Sequence, residues 1–178
     1  MTGPCCRAGA CEEMFTPRQA RRSLASLRRK GLGELDRKLV AVAAEPGLEG
    51  ARVLEIGGGI GALQAELLGA GAEQGEIVEI VASWEPYARE LARERGLEER
   101  TSFRVADVLD APDGVAPADV VLLNRVVCCS PDGVALAGRA ASLARRNLVL
   151  SFPRDVVLVR TAIRLLNAGL ALFGRSFR

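Results

Sequence analysis

Residues 52–63 read Arg-Val-Leu-Glu-Ile-Gly-Gly-Gly-Ile-Gly-Ala-Leu, and no other stretch restricts so tightly what the chain can fold into. Arg52 to Ile56 is a short aliphatic and β-branched run that suits a buried strand. Gly57, Gly58, Gly59 and Gly61 follow, and then Ala62-Leu63-Gln64-Ala65-Glu66-Leu67-Leu68 carries a plain helical pattern. Strand, glycine turn and helix are the parts of a nucleotide-binding βα unit. Glycine lets the backbone approach a ligand closely, and a helix N-terminus presents N–H groups that have no partner inside the helix. Which nucleotide such a unit takes depends on the side chains around it, the first being Glu55, just ahead of the glycines.

From residue 51 onward strands and helices alternate. Strands are predicted at Val53–Ile56, Glu76–Ile80, Ser102–Val105, Val120–Leu123 and Leu148–Ser151, and helices at Ala62–Leu68, Pro86–Arg95, Val134–Ala144 and Val156–Leu172. Strands separated by helices of this length imply parallel βαβ units and an α/β, Rossmann-like, doubly wound, mainly parallel sheet of about five strands. Ligands of such sheets bind at the carboxyl ends of the strands, near the point where strand order reverses.

Ahead of this core, residues 1–14 are rich in Gly, Cys and Ala and read as irregular. Thr16-Pro17 then starts a helix, with Thr16 as N-cap and Pro17 at the first helical position. Its Arg18, Arg21, Arg22, Arg28, Arg29 and Lys30 read as a solvated face, with a basic lid over a ligand as the sharper alternative. Gly31 and Gly33 break it, and a second helix over Glu34–Ala44 is expected to turn Leu35, Leu39, Val40 and Val42 to a core. At the other end, Val156–Phe173 approaches membrane-spanning length, yet Arg160 and Arg164 lie one helical turn apart on a single face. It reads as an amphipathic helix packed on the sheet, with a helix lying on a membrane surface as the alternative. One domain is expected over 1–178: a helical extension or lid over 1–50, the ligand-binding core over 51–155 and a C-terminal helix over 156–178.

Composition narrows the chemistry. At 178 residues and 49 % hydrophobic, the chain can bury one sizeable core. It has no histidine, which excludes histidine triads, histidine general bases and histidine metal ligands. A net charge of +2 does not point to nucleic acid. Cys5, Cys6, Cys11, Cys128 and Cys129 make an odd number that includes two adjacent pairs, unlike a secreted disulfide framework. With no signal-peptide pattern at the start, a reducing cytoplasm is expected. The cysteine spacing matches no metal motif, so no metal is expected, the alternative being a zinc or iron–sulfur site where Cys5, Cys6 and Cys11 approach Cys128 and Cys129.

The strand ends carry the ligand chemistry. Glu79 lies near the end of the second strand, where a carboxylate can accept from both hydroxyls of a ribose. After the third strand, Asp107 is placed to accept from an exocyclic adenine amine while Val108 offers its backbone N–H. After the fourth come Asn124 and Arg125. Carboxylates at three successive strand ends suit a ligand with a ribose, an adenine and an ammonium group better than a pyrophosphate, because Glu55 would set negative charge beside phosphate.

On these residues the chain resembles the class I S-adenosylmethionine-dependent methyltransferases. Glu55-x-Gly57-x-Gly59-x-Gly61 matches the family's first motif and Glu79-Ile80-Val81-Ala82-Ser83-Trp84 its second. Ala106-Asp107-Val108 matches its third, with alanine in place of the usual glycine. The resemblance covers roughly residues 50–152 and implies S-adenosylmethionine as cofactor. Its methionyl end would lie at Gly57, Gly58, Gly59 and Gly61, its ribose on Glu79 and its adenine near Ile80, Trp84, Asp107 and Val108, with Asn124 orienting cofactor or acceptor. An alternative register puts Ser83 at the ribose position, but it leaves Glu79 in apolar core, and the Glu79 register is preferred. Asn124–Asp132 and Leu148–Arg154 resemble a bacterial methyltransferase group whose members are similar to magnesium-protoporphyrin O-methyltransferases. The family's usual sixth and seventh strands are not expected after Phe173, which implies either a truncated chain or a sheet that ends on its fifth strand.

The function expected is methyl transfer to a small-molecule acceptor. Asp132 or Asp155 would serve as base if the acceptor must lose a proton, with neither singled out, and Arg125 is either a hold on an acidic acceptor group or a surface ion pair. The alternatives are a nicotinamide-dependent oxidoreductase, since Gly57-x-Gly59-x-x-Ala62 also satisfies the dinucleotide fingerprint, and a non-catalytic module that binds S-adenosylmethionine.

Overall fold

A computed structural model of the chain describes residues 15–110 and 114–152. The helix expected over Val156–Leu172, the candidate base Asp155, and Cys5, Cys6 and Cys11 lie outside the described residues. Helix α1 (Pro17–Lys30) and helix α2 (Glu34–Ala44) lead into strand β1 (Arg52–Ile56), helix α3 (Ala62–Gly69) and strand β2 (Gln74–Glu79). A short 3-10 turn, Ala82–Trp84, opens helix α4 (Glu85–Glu94). Strand β3 (Thr101–Val105), strand β4 (Ala118–Asn124), helix α5 (Gly133–Leu143) and strand β5 (Ala144–Ser151) complete the order.

All four strand pairings are parallel, in the order β3-β2-β1-β4-β5. The expected five-stranded doubly wound sheet is therefore present, and strand order reverses between β1 and β4. Val53 pairs with both Gly75 of β2 and Val120 of β4, so β1 is central. Alternation along β1 splits the core. Val53 joins Val120, Leu122 and Val149 under helices α1 to α4, whereas Leu54 and Ile56 join Val121, Leu123 and Val78 under α5.

Helix α1 is built as its sequence implies. Thr16 caps α1, its backbone N–H donating to Gln19 Oε1 at 2.7 Å, and Ala20, Leu24 and Leu27 form the buried stripe. The basic residues of α1 face outward, which supports the solvated-face reading. Among them Arg28 reaches across to Glu90 and Glu94 of α4, fastening the extension to the core.

Helix α2 departs from expectation. Leu39 and Ala43 face the core and Val40 is half-buried, but Leu35 and Val42 are exposed. Leu35 shares the stripe of Leu39, yet it stands in the first turn, where the helix passes the carboxyl end of β4 and Asp36 bonds Asn124. Val42, two turns on from Leu35 on the same side of the helix, stands beside β5, where its carbonyl accepts from Asn147 Nδ2 at 2.8 Å. Strand β2 ends at Glu79, one residue short of Ile80, and β5 begins at Ala144, directly after α5.

Candidate functional site

The glycine turn joins β1 to α3. Gly57, Gly59 and Gly61 all adopt positive φ, at 65°, 57° and 71°, a region that costs an L side chain roughly 1–2 kcal/mol. Close approach adds to the requirement. A Cβ on Gly59 would stand 2.7 Å from the Trp84 ring, one on Gly57 2.6 Å from Val126 Cγ2, and one on Gly58 2.8 Å from Glu55 Cγ. The turn is wrapped around Glu55, with Trp84 on one flank and Val126 on the other.

Glu55 is 3 % exposed. It points to the α3 side of the sheet, and its Oε2 accepts the backbone N–H of Gln64 at 3.1 Å. Gln64 is the third residue of α3, so this N–H is one that a helix leaves without an internal partner. Burial pushes the Glu55 carboxyl up to about 8; the Gln64 N–H pulls the other way, and the charges of Glu79 and Asp36 push further up. At the end of β2, Glu79 is also buried, and its carboxylate takes the N–H of Val81 at 3.1 Å and of Gly59 at 3.0 Å. Burial raises its carboxyl above the usual range against those bonds.

Two N–H groups of the glycine turn and helix start are thus already held by protein carboxylates. In dinucleotide folds such groups serve a pyrophosphate. Here Glu55 and Glu79 already occupy two of those donors, so a phosphate would have to displace a protein carboxyl from each.

Around this centre the other expected residues fall unevenly. Trp84 lies against Gly59, its indole N–H donates to the Phe15 carbonyl at 3.0 Å, and the two rings meet edge to face at 6.4 Å. Ile80 is half-buried just past β2. Ser83 sits in the 3-10 turn beyond it, and the paired strand ends on Glu79. Asp107 closes its own turn, its Oδ1 accepting the Leu109 N–H at 2.9 Å, and Val108 is buried with Ile56 and Val78 on the opposite face. Neither shares a hydrogen bond with the glycine turn among the described residues.

Asn124 is engaged at both ends of its amide. Its Nδ2 donates to Asp36 Oδ1 at 2.9 Å and its Oδ1 accepts from Ser151 Oγ at 2.7 Å. Ser151 Oγ in turn accepts the Arg125 N–H at 2.9 Å, and the Arg125 guanidinium stands 3.6 Å from Asp36. Asp36 and Ser151 were not expected at the site. Asp36 sits in the sequence as one charge among several on a surface helix, and only the docking of α2 on β4 brings its charge to bear on Glu55. Asp132 accepts the Ala135 N–H at 2.9 Å as N-cap of α5. Among the described residues no three metal-ligating side chains gather, and no helix is long and apolar enough to cross a membrane.

The fold and the strand-end carboxylates together define an α/β, Rossmann-like architecture of the S-adenosylmethionine-dependent methyltransferase type. Among solved structures, the chain is similar to magnesium protoporphyrin IX methyltransferase from Synechocystis PCC 6803 with bound S-adenosylhomocysteine. The identity is 25 %, the TM-score 0.64, and the match covers 77 % of this chain and 62 % of that one. A methyltransferase from Thiobacillus denitrificans, also in complex with S-adenosylhomocysteine, matches in fold at 18 % identity and a TM-score of 0.57, over 72 % of this chain and 54 % of that one. The [4+2]-cyclase SpnF shares the fold at 22 % identity and a TM-score of 0.54, over 62 % and 41 % of the two chains. The chain therefore spans about three-fifths or less of the length of these proteins. No family model matches it, and no curated protein does so either.

Proposed function

We propose that the chain binds S-adenosylmethionine at the glycine turn and transfers its methyl group to a small-molecule acceptor. The observation that carries this reading is the buried Glu55 carboxyl on the α3 N-terminus, which takes the place a pyrophosphate needs and favours a cationic amine. S-adenosylmethionine supplies a methyl group already activated on a sulfonium. What remains for the protein is to bind, orient and exclude water, effects that are large for an in-line transfer.

In this reading Gly57, Gly58, Gly59 and Gly61 let the backbone lie against the methionyl end, and Glu55 beneath them holds the ammonium. Glu79 exchanges its bond to the Gly59 N–H for the ribose hydroxyls. Ile80 and Trp84 pack on the adenine, while Asp107 and Val108 receive its edge. Asn124, pinned by Asp36 and Ser151, keeps a fixed polar face toward the reacting end. Asp132 is committed to capping α5 and is the weaker choice of base. We assign the chain to the cytoplasm, in line with an odd cysteine count that does not read as a secreted disulfide framework.

The nicotinamide alternative is separated by titration with S-adenosylhomocysteine and with NADH in parallel. Saturable binding of S-adenosylhomocysteine without NADH binding is expected, and binding of NADH alone overturns the proposal. The cyclase neighbour makes turnover a separate question from binding, since one fold hosts different reactions. Methyl transfer from labelled S-adenosylmethionine to any member of an acceptor panel distinguishes a transferase from a binding module.

A further inference from the structure

Cys128 and Cys129 are neighbours in sequence, and in a strand their side chains would point to opposite faces. They follow β4 in a tight turn instead, closed by the Cys129 and Ser130 N–H groups on the Val126 carbonyl at 2.9 and 3.2 Å. This turn swings both sulfurs to one side. Both lie over the Arg125 carbonyl, at 3.3 and 3.6 Å, and they stand 3.7 Å apart. Both are thiols, with Cys128 exposed and Cys129 half-buried. The same turn begins at Arg125, the one described non-glycine residue with positive φ, at 60°, and it seats Val126 on Gly57.

We propose that Cys128 and Cys129 form a redox-active dithiol whose co-reactant is a small-molecule disulfide of the glutathione class. The Cys128 thiolate, the more accessible, attacks one sulfur of the disulfide. An S–S bond forms to Cys128, and the first glutathione leaves as a thiolate that takes up the proton Cys128 gave up. The Cys129 thiolate then attacks the Cys128 sulfur, forming the Cys128–Cys129 bond and releasing the second glutathione, which takes the proton of Cys129. The two cysteines lose two electrons and the small disulfide gains them.

Geometry makes the bond a labile one. Adjacent Cα atoms across a trans peptide are about 3.8 Å apart, below the roughly 4.4–6.8 Å span of ordinary disulfides. The product is strained and readily reduced, the property of regulatory rather than structural disulfides. Closing the sulfurs from 3.7 Å to bonding distance must also reshape the turn that holds Val126 on Gly57. Oxidation is therefore expected to weaken the ligand site, a consequence that rests on the cofactor reading, whereas the dithiol itself does not.

The test incubates the full chain with glutathione disulfide, blocks remaining thiols with N-ethylmaleimide and digests with trypsin, which leaves both cysteines in peptide 126–139 between Arg125 and Arg139. The expected product is that peptide about 2 Da lighter than its dithiol form, with dithiothreitol restoring the mass. With Cys129→Ser, a stable glutathione adduct on Cys128 is expected instead. A wild-type peptide that stays fully blocked by N-ethylmaleimide, retains glutathione, or is cross-linked to a peptide bearing Cys5, Cys6 or Cys11 overturns the proposal. S-adenosylhomocysteine affinity is then compared between oxidised and reduced protein, with a weakening of about five-fold or more expected for a coupling of the usual size. Equal affinities refute the coupling to Gly57 while leaving the dithiol standing. No binding in either state refutes the cofactor reading instead.

Discussion

Glu55 contributes to the pH dependence of stability. Its carboxyl titrates at about 8 when folded, against 4.5 as the ordinary value. Between these values the folded state binds the extra proton, so stability falls as pH rises from about 4.5 to about 8 and then levels off. Glu55→Gln keeps the shape and removes the titration, and urea melts at several pH values should show a flatter profile for the variant. Ligand binding runs the opposite way. An ammonium beside Glu55 favours the carboxylate, so affinity for S-adenosylhomocysteine should rise across the same window with proton release, read by calorimetry in buffers of different ionisation enthalpy. Losing a charge-assisted bond worth about 1.5–3 kcal/mol should weaken binding to Glu55→Gln by roughly 10- to 100-fold. An unchanged affinity would remove Glu55 from the ligand site. Gly59→Ala is a harsher change, because it combines the left-handed backbone with a methyl driven into the Trp84 ring. A loss of at least about 2 kcal/mol in denaturant unfolding is expected. The glycine turn was readable from residues 52–63 because it depends on spacing along a single turn. Asp36 was not: it lies 88 positions from its partner Asn124.

At the scale of elements, the caps and clamps decide which pieces hold the site in place. Helix α5 starts on Asp132, whose side chain takes the Ala135 N–H. Asp132→Ala should cost about 1 kcal/mol without changing affinity for S-adenosylhomocysteine, whereas Asp132→Asn should retain the cap. A selective loss of turnover in Asp132→Asn, with folding intact, would return Asp132 to the role of base. Element type was legible wherever the hydrophobic period was clean, as in α1, α2 and β1. The exposure of Leu35 and Val42 was not legible, because the period identifies a helix's apolar stripe without saying how far the surface beneath it extends. Strand β2 shows a similar limit, since a run of apolar residues through Val81 did not mark Glu79 as the last paired residue.

At the scale of the whole molecule, ligand binding should appear as stabilisation. A ligand that binds only the folded state adds about 2.7 kcal/mol at one hundred times its dissociation constant. S-adenosylhomocysteine should therefore raise the melting temperature, while NADH at equal concentration should leave it unchanged. Trp84 is the only tryptophan of the chain and lies on Gly59, so its emission should change on saturation with the same dissociation constant. A thermal shift without any change in emission would place the ligand away from the glycine turn.

The alternation of strands and helices, the glycine turn and the acids at the strand ends were determined by the sequence itself, because each is a local pattern set by backbone geometry and side-chain period. Tertiary structure alone decided that α2 delivers Asp36 to the end of β4, and that Ser151 completes the clamp on Asn124. It also decided that Glu55, rather than an incoming phosphate, satisfies the start of α3. Those outcomes depend on packing between residues far apart in the chain, where burial and charge act through space and no periodicity records them.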